Sequence, residues 1–365
     1  MDLPPFLLDE WTTRFAAASP PIAYNLASST GPRWSLSELA SLGGTEIDLK
    51  DLSLGYSSAD GSRALREAIA ARHDVDPDWV VVTTGGSEAL SLLFCILERP
   101  DAAITLPDPC YPAYAAMAMA WRLGVEPYRL DRDTGYGQSA DAVIAAVTAR
   151  TVAAVVNTPH NPTGSVMQRA EIARLAGQLA GRGLPLIVDE VFHPIYFGSP
   201  QSSAAEIDNV IVVGDMSKAM SLPGLRLGWI IDRDEERRAR LIRARSFFAI
   251  SHSPLLERLA THALAKADII LGRAQALADA NLAALAALVT RSSGRMAWVR
   301  PDGGTTAFPW FVDGQHSRPF CEAAAAQGVL AVPGDCFGRP NHIRMGFASQ
   351  TGGLDAAIQI LETLI

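Results

Sequence analysis

Chemistry that needs a primary amine has three possible seats in this 365-residue chain: Lys50, Lys218 and Lys266 are its lysines, and every other fixed cation is an arginine. Lys218 ends the segment Gly214-Asp215-Met216-Ser217-Lys218, directly after an apolar run, with Arg226 eight residues on. A lysine in a loop is ordinarily a solvated charge, so its neighbours have to single it out. Thr83-Thr84-Gly85-Gly86-Ser87-Glu88 follows another apolar run and opens a helical pattern. Such a turn exposes backbone N–H groups at a positive helix end and can cradle an anion, although it also makes a plain cap. In Asp108-Pro109-Cys110-Tyr111-Pro112-Ala113-Tyr114 the prolines stiffen a loop bearing two tyrosines. These rings could cover a flat ligand or pack a helix start. Pro159 and Pro162 forbid helix across Asn157–Gly164 and aim Asn161 in one direction. Val188-Asp189 ends a further apolar run in a carboxylate, which is costly to bury without a positive partner.

In this order the motifs resemble the fold-type I aminotransferases of classes I and II, which use pyridoxal 5′-phosphate. The resemblance runs from about residue 45 to 350. It includes Gly55-Tyr56, Gly61, Leu65-Arg66, T-G-G-S-E-A-L, D-P-C-Y-P-A-Y, N-P-T-G, D-E-V, S-K, Pro333-Gly334, Phe337-Gly338 and Arg344. It implies that Lys218 bonds to the cofactor aldehyde and later carries a proton at the substrate Cα, while Asp189 holds the pyridine nitrogen protonated. Asn161 would bond the phenolic oxygen and Tyr111 would stack on the ring. Gly86, Ser87 and Arg226 would hold the phosphate. Tyr56 would reach the phosphate of a second subunit, which implies a homodimer. Arg344 would fork onto the substrate α-carboxylate. The implied reaction passes an α-amino group from an amino acid to a 2-oxo acid.

Two positions depart from the family pattern. Phe192 stands where a tyrosine usually donates to the phenolic oxygen, so a hydrogen bond worth about 1 kcal/mol net is lost. Asp215 replaces a small hydroxyl residue beside the phosphate, where a carboxylate repels. Either its side chain turns away or it serves a substrate group. Asn25–Gly31 also lacks the usual Gly-x-Gly-x-Pro pattern and could place hydroxyls near the substrate. These departures keep a second class open: an oxidase, hydroxylase or cyclase acting on a basic amino acid, a C–S β-lyase, or a decarboxylase. A cofactor-binding regulator is a third, and it is disfavoured because the expected fold begins almost at the N-terminus.

The elements that position these residues read as strands and helices in alternation. Apolar runs at 79–82, 102–106, 151–156, 184–188, 210–213 and 225–231 predict buried strands. Helical spacing at 62–72, 87–98, 112–122 and 168–182 separates them. The expected fold is α/β, a largely parallel mixed sheet covered by helices. Residues 46–245 would form the large cofactor unit, with a smaller α+β unit from 1–45 plus 246–365. Ligands in such sheets bind at the carboxyl ends of the strands, where the motifs fall. The Ala-rich stretches 139–150, 256–289 and 321–327 predict helices, and Arg237, Arg238, Arg240, Arg243 and Arg245 a solvated helix face. Net charge of −8 disfavours nucleic acid as a partner. No apolar run reaches membrane-spanning length, no metal-ligand spacing appears, and four dispersed cysteines read as reduced thiols. The expectation is a soluble, cytoplasmic enzyme.

Overall fold

A computed structural model of the chain describes residues 5–19, 21–44 and 46–365. The predicted apolar runs, with one addition, build a seven-stranded sheet: β1 (Val80–Thr83), β2 (Ala103–Asp108), β3 (Gly124–Arg129), β4 (Thr151–Asn157), β5 (Leu186–Asp189), β6 (Val210–Asp215) and β7 (Gly228–Ile231). Their spatial order is β1-β7-β6-β5-β4-β2-β3. Only β7 runs against its neighbours, β1 and β6. Every residue of β4 and β5 is buried, because helices cover both faces of the sheet. The helices lie at Arg63–His73, Gly85–Leu97, Ala113–Ala120 and Arg169–Ala180, within three residues of the predicted bounds.

Three sequence expectations need correction. β3 has no apolar run to announce it. It lies at the sheet edge, carries Glu126 and Pro127, and buries only one of its six residues. Edge strands shed the uniform apolar signature because one side meets water. The Ala-rich stretch 256–289 is two helices, Pro254–Ala265 and Ala267–Arg291, broken at Lys266, whose φ of −117° is not helical. Finally, the arginine cluster on helix Glu235–Arg245 is not a uniformly solvated face. Arg237 pairs with Asp232 at 2.7 Å, and Arg243 is exposed, whereas Arg245 is only 1% exposed.

The two ends of the chain pack together. Trp11, on helix Leu7–Arg14, donates from Nε1 to the Ala331 carbonyl at 2.8 Å. Tyr24–Asn25 pairs in parallel with Val329–Leu330. Ile343–Gly346 forms the centre of a small antiparallel sheet between Thr306–Ala307 and Val332–Pro333. This late strand carries Arg344.

Candidate active site

The carboxyl ends of β1, β4, β5 and β6 open into a cleft of about 230 Å³. Gly86, Ser87, Tyr111, Asn161, Asp189, Asp215, Lys218 and Arg226 stand on its wall, as the sequence motifs predict. Asp189 ends β5 and is 3% exposed. Its Oδ2 accepts from the Tyr114 hydroxyl at 2.6 Å and its Oδ1 from the Val191 amide at 3.1 Å. Burial nevertheless dominates and lifts its pKa to about 6. Tyr114 is the site residue that motif reading missed. The second tyrosine of D-P-C-Y-P-A-Y was its only signal, and that could equally mean packing. Tyr111 meets the Tyr114 ring edge-on at 5.8 Å between centroids.

Lys218 follows β6 by three residues. Its Nζ donates to Ser29 Oγ at 3.0 Å, so the hydroxyl-bearing N-terminal segment does reach the site. Burial pushes the amine below its ordinary pKa, opposed chiefly by the negative charge of Asp215. Lys50 is exposed, and Lys266 lies at the break between two helices. Asp215 turns onto the backbone. Oδ1 accepts from the Ser217 amide at 2.8 Å, and Oδ2 lies 3.4 Å from the Gly86 amide. Phe192 faces the same cleft without a hydroxyl to offer.

Two glycines at the cradle, Gly85 and Gly228, are required by conformation or by space. Gly85 has a φ of +79°, and a Cβ there would come within 2.9 Å of an Arg226 nitrogen. A Cβ on Gly228 would press 2.6 Å from the Gly85 carbonyl carbon and 2.8 Å from the Gly86 nitrogen. Backbone amides, a helix N-terminus and an exposed arginine are thereby brought to one spot.

Arg344 is 2% exposed and bonds through one nitrogen to the Ala27 carbonyl at 2.8 Å. Its Nε and Nη1 are buried without a partner. Desolvation draws this guanidinium down to about 10. Tyr56, by contrast, is 84% exposed and does not line the cleft of its own chain. His160 is buried and bonded to Thr163 at 2.8 Å, a packing role. Phe247 is exposed and lies outside the cleft. Among the described residues no cluster fits a metal ion and no helix is long and apolar enough to cross a membrane.

The sequence profile described as "Aminotransferase class I and II" matches residues 40–361. The chain belongs to that family. It is 33% identical over 306 residues to capreomycidine synthase of Streptomyces vinaceus, covering 83% of this chain and 78% of that one. It is 31% identical over 326 residues to valine–pyruvate aminotransferase of Mycobacterium tuberculosis, covering 84% and 82%. Its fold superposes on a PLP-dependent aminotransferase from Streptococcus suis with a TM-score of 0.91, at 25% identity, covering 100% of this chain and 98% of the other. The chain is thus a fold-type I enzyme whose cofactor is pyridoxal 5′-phosphate. Its residues fit that group. Asn161 Oδ1 is buried without a partner, Gly228 leaves no room for a Cβ against the Gly85–Gly86 backbone, and a buried carboxylate stands ready for a positive ring nitrogen.

Proposed function

We propose that this enzyme carries the α-amino group of an amino acid to a 2-oxo acid. The observation that carries this reading is Arg344: two buried, unpartnered donor nitrogens on a residue whose charge is felt at Lys218. A planar carboxylate satisfies both donors at once. When bound, pyridoxal phosphate stores the electron pair released at the substrate Cα.

The chain's own residues supply the rest of the proposal. Arg344 binds the carboxylate and orients Cα. Lys218, its amine favoured by desolvation, would take the Cα proton and carry it to the cofactor's C4′, while Ser29 Oγ steadies Nζ. Asp189 keeps a proton on the ring nitrogen, and Tyr114 and the Val191 amide fix the direction of its oxygens. Asn161 serves the phenolic oxygen and Tyr111 covers the ring. Gly86, Ser87 and Arg226 hold the phosphate.

Asp215 is the proposed exception to a purely cationic cradle. Its contact with Gly86 puts a carboxylate where the phosphate needs donors, and its charge also acts on Lys218, so it can serve a substrate cation. The units 46–245 and 1–45 plus 246–365 are proposed as the large cofactor-binding domain and the small domain. A homodimer is supported by Leu54, Tyr56, Phe247 and Ile250, large exposed side chains on two segments joined by the Ser57 amide and Ser251 Oγ at 3.2 Å. Tyr56 would cross this interface to the partner's phosphate. Four free cysteines support a cytoplasmic setting.

A second reading is cyclisation or elimination. It is favoured by the missing hydroxyl at Phe192 together with the similarity to capreomycidine synthase. One experiment separates the two. The cofactor-loaded protein is mixed with single amino acids without an acceptor. Stoichiometric 2-oxo acid and pyridoxamine phosphate support transamination. Ammonia release, oxygen uptake or a cyclised amino acid with the cofactor unchanged would sink it.

A further inference from the structure

A buried cluster of charge lies outside the cleft and between two segments that serve phosphate. Its members are Glu88, Arg245 and Glu257, with His252 and Asp60 beside them. Arg245 and Glu257 are 1% and 2% exposed. Burying such ions costs several kcal/mol each, and stability alone is a poor reason to keep them. Arg245 Nε and Nη2, Glu257 Oε1 and His252 Nε2 have no hydrogen-bond partner, so the cluster is not a saturated core network.

What it does hold is the segment immediately after Tyr56. Glu257 Oε2 accepts from Ser57 Oγ at 2.8 Å and from the Ser62 amide at 3.1 Å. Arg245 Nη1 donates to the Ala59 carbonyl between them. The turn is therefore clamped at both ends and in the middle, and Tyr56 is the first residue beyond the clamp. On its other side Arg245 Nε lies 3.8 Å from Glu88 Oε2. That same oxygen accepts from the Thr84 amide, directly before the Gly85–Gly86 cradle.

We propose that Arg245 and Glu257 are positioning residues that lock the Tyr56 segment to the chain's own phosphate cradle. Binding of one phosphate and presentation of a tyrosine to the other then become a single rigid feature. The inference rests on the reading that Tyr56 crosses the interface. Glu257 sets the segment, Arg245 joins it to Glu88, and Glu88 fixes the amide that opens the cradle.

The test is a double-variant cycle on cofactor affinity in the full-length protein, with dissociation constants read by absorbance titration. Pyridoxal phosphate and pyridoxal, which lacks the phosphate, serve as the two probes. E257Q and Y56F should each weaken pyridoxal phosphate about tenfold, and the double variant should stay near tenfold because the two act through one element. Pyridoxal affinity should change less than about twofold, since the effect runs through phosphate contacts. S57A, which removes one bond at the rim of the clamp, should show a smaller loss with the same phosphate dependence and guards against an unfolded E257Q. An effective Y56F with E257Q and S57A silent overturns the inference alone. Equal losses for both probes, or fully multiplicative losses in the double variant, also overturn it. A silent Y56F overturns the interface reading and this inference together.

Discussion

At the residue scale the site is organised around groups whose ordinary ionisation has been displaced. Asp189 sits near 6 because burial outweighs the Tyr114 and Val191 bonds. Its folded pKa lies above its unfolded value of about 3.9, so without cofactor the native state binds more protons than the unfolded state between these limits. The contribution is therefore fully present below pH ~4 and is lost as pH rises through ~6. Cofactor-free wild type should lose stability relative to D189N over that window, by about 1.4 kcal/mol per pH unit at the steepest. Urea melts of both proteins at several pH values check this. Wild-type stability that holds constant or rises relative to D189N over that window would overturn the assignment. Lys218 gives a spectral prediction. K218A should abolish the visible band of the lysine-bound cofactor, while K50A and K266A leave it intact. F192Y should add a donor toward the phenolic oxygen and shift the titration midpoint of that band downward. An unchanged midpoint would show that the ring at 192 does not face that oxygen.

At the element scale, the strand ends explain how much was legible in advance. Interior strands of a covered sheet are apolar throughout, so β4, β5 and β6 announce themselves, and so do the polar residues that end them. β3 was illegible because an edge strand needs no such run. Arg245 was illegible because it follows the same charge pattern as its exposed neighbours. It is buried where its helix packs on helix Gly85–Leu97 and on the turn at Ala59. Arg344 stands in a motif, but the one partner that holds it, the Ala27 carbonyl, lies 317 residues away in sequence. Steric economy at the cradle gives a further test. G228A inserts a methyl where 2.6 Å separates it from the Gly85 backbone. It should weaken pyridoxal phosphate at least about tenfold by moving the turn, with far-UV circular dichroism preserved. Binding unchanged by this substitution would mean that phosphate is held elsewhere.

At the scale of the whole molecule, the sheet, the cleft and the two packed ends match the architecture of the family, and the outward face does not finish itself. Leu54 and Phe247 are 79% and 87% exposed beside the clamped turn that follows Tyr56. Sedimentation velocity of the wild type should show a dimer at micromolar concentration. Introducing a charge with F247E should shift it toward monomer and weaken cofactor retention in parallel. A monomeric wild type that binds cofactor tightly would contradict the assembled site.

The wall beside Lys218 also has a history in time. Ser29 meets the lysine, while its carbonyl is held by Thr305 at 2.7 Å, the Leu26 carbonyl by the Gly346 amide at 2.6 Å, and the Asn25 carbonyl by Gln350 at 3.1 Å. Ser29 and Asn25 therefore wait for partners translated 276 and 325 residues later. On the ribosome, the strands of the large sheet can pair well before this strip has anything to lie on. A nascent or prematurely ended chain could acquire its cofactor lysine and cradle yet lack the surface that confines a substrate. Synthesis of the stretch from Thr305 to Gln350 thus becomes the event that turns a cofactor-binding sheet into an enclosed reaction chamber.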